Sequence, residues 1–116
     1  VPHFVEVHED TLAVDFDALD AYLTDIAEVR GGTCVNRHTG RVIRALVVLH
    51  PFGHPADMDR AEAVAAKWRL ELIEDAAESL GSLEHGRHTG TRGRVSALSF
   101  NGNKIVTTGG GGAVMT

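Results

Sequence analysis

VIRALVVLHPFGHPADMDRAEAVAAKWRLELIED, residues 42–75, opens on one continuous apolar run and closes on a second. The run 42–50 has no polar alternation, which predicts a strand buried on both faces. Pro51, Gly53 and Pro55 punctuate its exit, and Pro55 suits the first turn of a following helix. Met58, Ala61, Val64, Ala65 and Trp68 recur at helical spacing over about 56–68, an amphipathic helix with Trp68 on its core side. LELIED, 70–75, then returns as a strand. Strand, helix, strand in this order predicts the βαβ unit of a parallel sheet.

Working outward, residues 3–7 read as a short strand. Phe16, Leu19, Tyr22, Leu23 and Ile26 share one helical face over about 15–29, with Asp15 as N-cap and Gly31 and Gly32 as the stop. A turn is predicted at 38–40. Downstream, 76–94 reads mostly as loop with a short helical turn at 76–80, and VSALSF (95–100) and GAVMT (112–116) read as strands. The fold class is α/β, a three-layer αβα arrangement around a mostly parallel sheet. The chain opens on VPHFVEV, without Met, and closes on GGAVMT, so both ends read as the middle of β-prone stretches. The expectation is a piece of a larger protein.

Composition narrows the function. A formal charge of -5 disfavours a nucleic-acid partner held through phosphates. No apolar run approaches the ~20 residues of a membrane span, and no signal peptide opens the chain. One cysteine, Cys34, builds no disulfide framework, and it has no His partner at a recognisable spacing. These features fit a cytoplasmic location. Glu84, His85 and His88 lie close in sequence but carry no HExxH or paired-cysteine pattern, so a water-exposed loop without a metal is expected.

In open α/β sheets ligands gather at the carboxyl edge of the strands. Three polar clusters fall there: HPFGH (50–54), EDAAES (74–79) and SFNGNK (99–104). Asp75 is a carboxylate that needs a cationic or hydrogen-bonding partner. Lys104 stands near apolar walls, where desolvation favours the neutral amine that imine formation demands. Ser99, five residues earlier, offers a hydroxyl to phosphate. An aldehyde with a ring nitrogen and a phosphate uses all three, and pyridoxal 5'-phosphate is that ligand. The glycine run 109–112 is no phosphate-binding motif, but it leaves room beside Lys104 for a planar group. His50 and His54 are read as turn or packing residues, and Glu74 as structural or solvated.

HPFGHPADMD, LIEDAAESLGS, HTGTRG and LSFNGNKIVTTGGGGAVMT closely resemble the DegT/StrS family of pyridoxal-phosphate sugar aminotransferases, in the family's order, from about residue 3 to 116. The resemblance implies that residues 1–116 are part of the cofactor-binding large domain of a fold-type-I enzyme. An N-terminal segment and a C-terminal small domain would lie outside the chain, and the chain alone would bind cofactor poorly and not turn over. It implies that Lys104 forms the imine and shuttles the proton, and that Asp75 pairs with the pyridinium nitrogen. By the same resemblance Ser99 binds the phosphate, Ala77 lies against the ring face, and Glu78 sits where many members carry Gln, near the phenolic oxygen. An ionised Glu78 has no proton to donate to that oxygen. Arg94 and Ser96 stand where Asp and Gly are usual, and are read as structural. Asn103 receives no role.

The implied reaction takes an amine from glutamate to a nucleotide-linked keto-deoxy sugar, in a homodimer whose neighbouring subunit completes the site. Members with His in place of the lysine are dehydratases, so Lys104 favours transamination. The alternatives are a dehydratase, or a regulatory or non-catalytic module that keeps the pocket as scaffold.

Overall fold

The computed structural model describes residues 2–116. Helix α1 spans Phe16–Ile26, strand β1 Ala27–Arg30, β2 Thr33–Asn36, β3 Ala45–Leu49, helix α2 Met58–Trp68 and β4 Glu71–Asp75. The hairpin strands β5 and β6 span Leu83–Glu84 and Arg87–His88, and β7 and β8 span Val95–Ser99 and Gly112–Met115. The main sheet runs β3-β4-β7-β8. Its first three strands are parallel and β8 returns antiparallel. It is a mostly parallel α/β sheet, as the βαβ pattern predicts.

Both helices are built from their caps and apolar stripes. Asp15 Oδ1 accepts from the Asp17 and Ala18 amides and starts α1. Asp57 does the same for α2 through the Arg60 amide. That places Pro55 ahead of the cap rather than in the first turn, because Asp57 supplies a better acceptor for the free amides. Phe16, Leu19, Leu23 and Ile26 of α1 meet Met58, Ala61, Val64, Ala65 and Trp68 of α2 in one core with Leu46, Val48 and Leu72 of the sheet. Tyr22 is not part of that stripe. It lies half in solvent and bonds His3 Nδ1 at 3.0 Å.

Since α1, α2 and the sheet residues Leu46 and Val48 form one cluster, the chain supplies the sheet and one helical layer. Strand β3 is therefore buried on one face only. Val47 is 57% exposed and Leu49 45%, so the expectation of burial on both faces is corrected within this chain.

Three further expectations change. Helix α1 stops at Ile26, not near 29, and the next residues form a β-hairpin with β2 in the register Arg30↔Thr33. Gly31 and Gly32 sit at φ 58° and 79°, the left-handed pair that a two-residue hairpin turn requires. The glycines are a hairpin turn, not a helix stop. Residues 3–7 form no strand, only an isolated bridge between Val7 and Val14. The 76–94 segment carries the short β5–β6 hairpin that sequence periodicity does not show.

Candidate active site

Register places the polar clusters. Asp75 pairs with Ala97 in parallel strands β4 and β7, so Ser99, two residues on, shares the face of Asp75 at the carboxyl edge. Asp75 is half-buried, and its Oδ1 accepts from the Ala77 amide at 3.1 Å, which turns the chain out of the strand. Ala77 is half-buried on that turn. Ser99 is half-buried, and its Oγ accepts from the Asn101 amide at 3.3 Å. Its hydroxyl proton is left to donate.

Lys104 follows β7 on the turn that Asn101 starts, its amide donating to the Asn101 carbonyl at 3.0 Å. The Lys104 side chain is 16% exposed, and Nζ lies 3.0 Å from Glu78 Oε1. The other Glu78 oxygen accepts from the Phe52 amide at 3.0 Å. Segments after β3, β4 and β7 thus meet at one carboxylate. The Lys104 hydrogen bond, the Phe52 amide and the Lys104 charge together hold Glu78 below the usual carboxylate range. It is an ionised partner of the amine. Among the described residues, no side-chain hydrogen bond joins Asp75 or Ser99 to Lys104.

The turn that carries Phe52 is bent to reach Glu78. Phe52 has φ 53° and ψ 24°, a left-handed conformation for a bulky residue, and its ring is 76% exposed. Gly53, at φ 85°, packs so closely that an added Cβ would lie 3.0 Å from the Glu78 carbonyl. Ser82 Oγ donates to the Gly53 carbonyl at 2.7 Å and holds the turn from the far side.

Beneath the site lies a buried network that sequence reasoning did not resolve. The Glu74 carboxylate is fully buried and accepts from His50 Nε2 at 3.1 Å. It also accepts from the amides of Gly90 and Arg92, both at 2.7 Å, and of Gly93. Burial alone would raise its pKa, but the His50 bond and the three amides outweigh burial and lower it to about 2. His50 Nδ1 accepts from the Ala56 amide at 3.1 Å, which puts the ring proton on Nε2, facing Glu74. His50 is thus the packing residue expected, and Glu74 is structural, not solvated.

A second cluster lies at the β5–β6 hairpin. Arg92, 5% exposed, donates to Glu62 at 2.8 and 2.9 Å, to Glu84 at 2.6 Å, and to Asp59. Glu62 first, and then Asp59, push its pKa upward. Asp59, Glu84 and His85 approach one another, but Arg92 occupies the carboxylates. His85 and His88 are exposed, as expected for the loop. Arg94 pairs with Glu71 at 2.8 Å and Ser96 Oγ donates to the Gly90 carbonyl at 2.5 Å, both structural contacts. Cys34 is buried, and burial pushes its thiol up, which removes it as a nucleophile. No signal in the chain joins Arg92 to its acids, because Asp59 and Glu62 stand on α2 and Glu84 on β5, each remote from Arg92 in sequence or element.

A parallel sheet with a lysine, a carboxylate and a serine gathered at its carboxyl edge defines an α/β enzyme core. The chain belongs to the DegT/DnrJ/EryC1/StrS aminotransferase family, which it matches over residues 1–116. It is 34% identical over 116 residues to the "Putative pyridoxal phosphate-dependent aminotransferase EpsN" of Bacillus subtilis, covering all of this chain and 27% of that protein. It is 45% identical over 73 residues to GDP-perosamine synthase of Escherichia coli O157:H7, covering 63% of this chain and 20% of that one. The crystal structure of a DegT DnrJ EryC1 StrS aminotransferase from Brucella abortus superposes with a TM-score of 0.83 at 31% identity, covering 99% of this chain and 29% of that one. The chain therefore spans about a quarter of the length of the relatives it matches. Among the described residues no helix is long and apolar enough to cross a membrane.

Proposed function

We propose that residues 1–116 form part of the large domain of a pyridoxal-phosphate aminotransferase that converts a nucleotide-linked keto-deoxy sugar to the amino sugar. Glutamate is the proposed donor, a homodimer the working unit, and the cytoplasm its location. The observation that carries this reading is the half-buried Lys104 amine at the carboxyl edge, above a strand pair that presents Asp75 and Ser99 on one face. The names of EpsN and GDP-perosamine synthase support the cofactor and the sugar class.

The residues fit the cofactor chemically. Asp75 spends one oxygen on Ala77 and keeps the other for a ring N–H, whose proton it would hold in place. Ser99 would donate its hydroxyl to a phosphate oxygen. Ala77 offers a methyl to a ring face, and Glu78 is an acceptor beside the amine. When bound, pyridoxal phosphate supplies an aldehyde for the amine and an electron-withdrawing ring. Lys104 Nζ is the amine that would hold that carbonyl carbon, and it is placed to serve as the base that moves a proton.

The test is spectroscopic. Adding pyridoxal phosphate to the intact protein should produce a visible absorbance band that Lys104→Ala abolishes, and glutamate should discharge it. No band in the parent protein overturns the cofactor reading. A band that glutamate leaves untouched overturns the aminotransferase reading and favours a dehydratase or a scaffold.

A further inference from the structure

Glu78 makes two bonds in opposite directions. Oε1 holds the Lys104 ammonium at 3.0 Å and Oε2 holds the Phe52 amide at 3.0 Å. A lysine nitrogen paired in this way is oriented by the carboxylate and must leave it before it can attack a carbonyl carbon. Other charged or titratable groups on these segments are committed elsewhere or open to water. Asp75 accepts from Ala77, His50 is spent on Glu74 and Ala56, and His54 is exposed.

We propose that Glu78 is the positioning residue for the catalytic amine: with no carbonyl bound it holds Lys104 Nζ and ties it to the Phe52–Gly53 turn, so the amine reacts only when that pair opens. The proposal rests on Lys104 as the imine-forming group. It gives the acid at 78 a task that an amide would not perform, since Gln keeps a hydrogen-bond acceptor but has no charge to hold the lysine. Capture then has a fixed order. The ammonium first releases a proton to solvent, the neutral nitrogen attacks the carbonyl carbon, and the carbonyl oxygen leaves as water.

The two lysines of the chain make a built-in control. Lys67 is paired to both oxygens of Asp20 at 2.7 Å and stands far from the site in sequence and element. Reductive methylation of the intact, cofactor-free protein with formaldehyde and cyanoborohydride at pH 7 reports how readily each lysine nitrogen reaches a carbonyl carbon. Peptide mass spectrometry gives the Lys104 to Lys67 ratio. Glu78→Gln should raise that ratio several-fold, and Glu78→Ala should raise it too, with the Lys67 rate unchanged as the sign of an intact fold. An unchanged or lower ratio in both variants overturns the proposal. The probe lacks ring and phosphate, so failure here is separable from failure of the cofactor reading. A parent protein that shows the lysine-dependent band but no change in ratio loses only the gate, whereas a changed ratio without any band keeps the gate and loses the cofactor.

Discussion

His50 Nε2 donates to Glu74 Oε2 across 3.1 Å with both side chains wholly excluded from solvent. That carboxylate collects four donors and pins the exit of β3 to the loop before β7. The site residues Asp75 and Glu78 hang from the same strand, one and four positions further on.

Glu74→Ala should lower unfolding stability by about 3–5 kcal/mol, because it strands a buried histidine and three amides together. Glu74→Gln should be nearly as damaging. Its NH2 group would face two of the four donors and could accept from neither. Urea or guanidinium midpoints of the two variants against the parent check this.

The same carboxylate predicts an acid limb. Its folded pKa of about 2 lies below the unfolded value of 4.5, so the unfolded chain binds more protons between those limits. Stability from Glu74 is complete above pH 4.5 and drains away as pH falls toward 2, on the order of 3 kcal/mol in all. Denaturation midpoints measured across that window should slope downward with acid in the parent, and the slope should flatten in Glu74→Gln.

Arg92 bridges α2 and the β5–β6 hairpin through three acids. Arg92→Lys retains charge but loses the planar fork, and a single ammonium cannot reach all three partners. We expect a loss of about 1–3 kcal/mol, with amide hydrogen exchange quickening first in 83–88. Added salt should shrink the gap between variant and parent.

Within the glycine run, the positions are not equivalent. Gly109 and Gly110 would meet nothing within 4 Å if a Cβ were added, whereas at Gly112 the Cβ would press into the Leu98 carbonyl. Gly112→Ala should pry β8 from β7 and lower the thermal midpoint, while Gly110→Ala should leave it nearly unchanged. Equal midpoints for the two would contradict the pairing of Ser99 with Gly112.

Much of the scaffold was legible because local pattern and final environment agree. The apolar runs became β3 and β4, the stripe from Met58 to Trp68 became α2, and Asp15 capped α1. The hairpin after α1 is not legible in the sequence because Gly-Gly serves equally as a helix stop and a two-residue turn. Only the pairing of Val29 with Cys34 distinguishes them. Residues 83–88 were missed because two-residue strands carry no periodicity.

For the site, sequence alone determined which chemistry was on hand. A carboxylate and a hydroxyl each end a strand of a mostly parallel sheet, an amine follows the second of them, and chain order sends all three to one edge. Tertiary structure alone decided how they are engaged. Glu78 is an ionised partner of Lys104, and Glu74, one residue before Asp75, is a buried acid held by a histidine from another strand exit. Hydrogen bonds to a carboxylate depend on which donors lie within about 3 Å, and segments 24 or 26 residues apart meet at that range only after the sheet has formed.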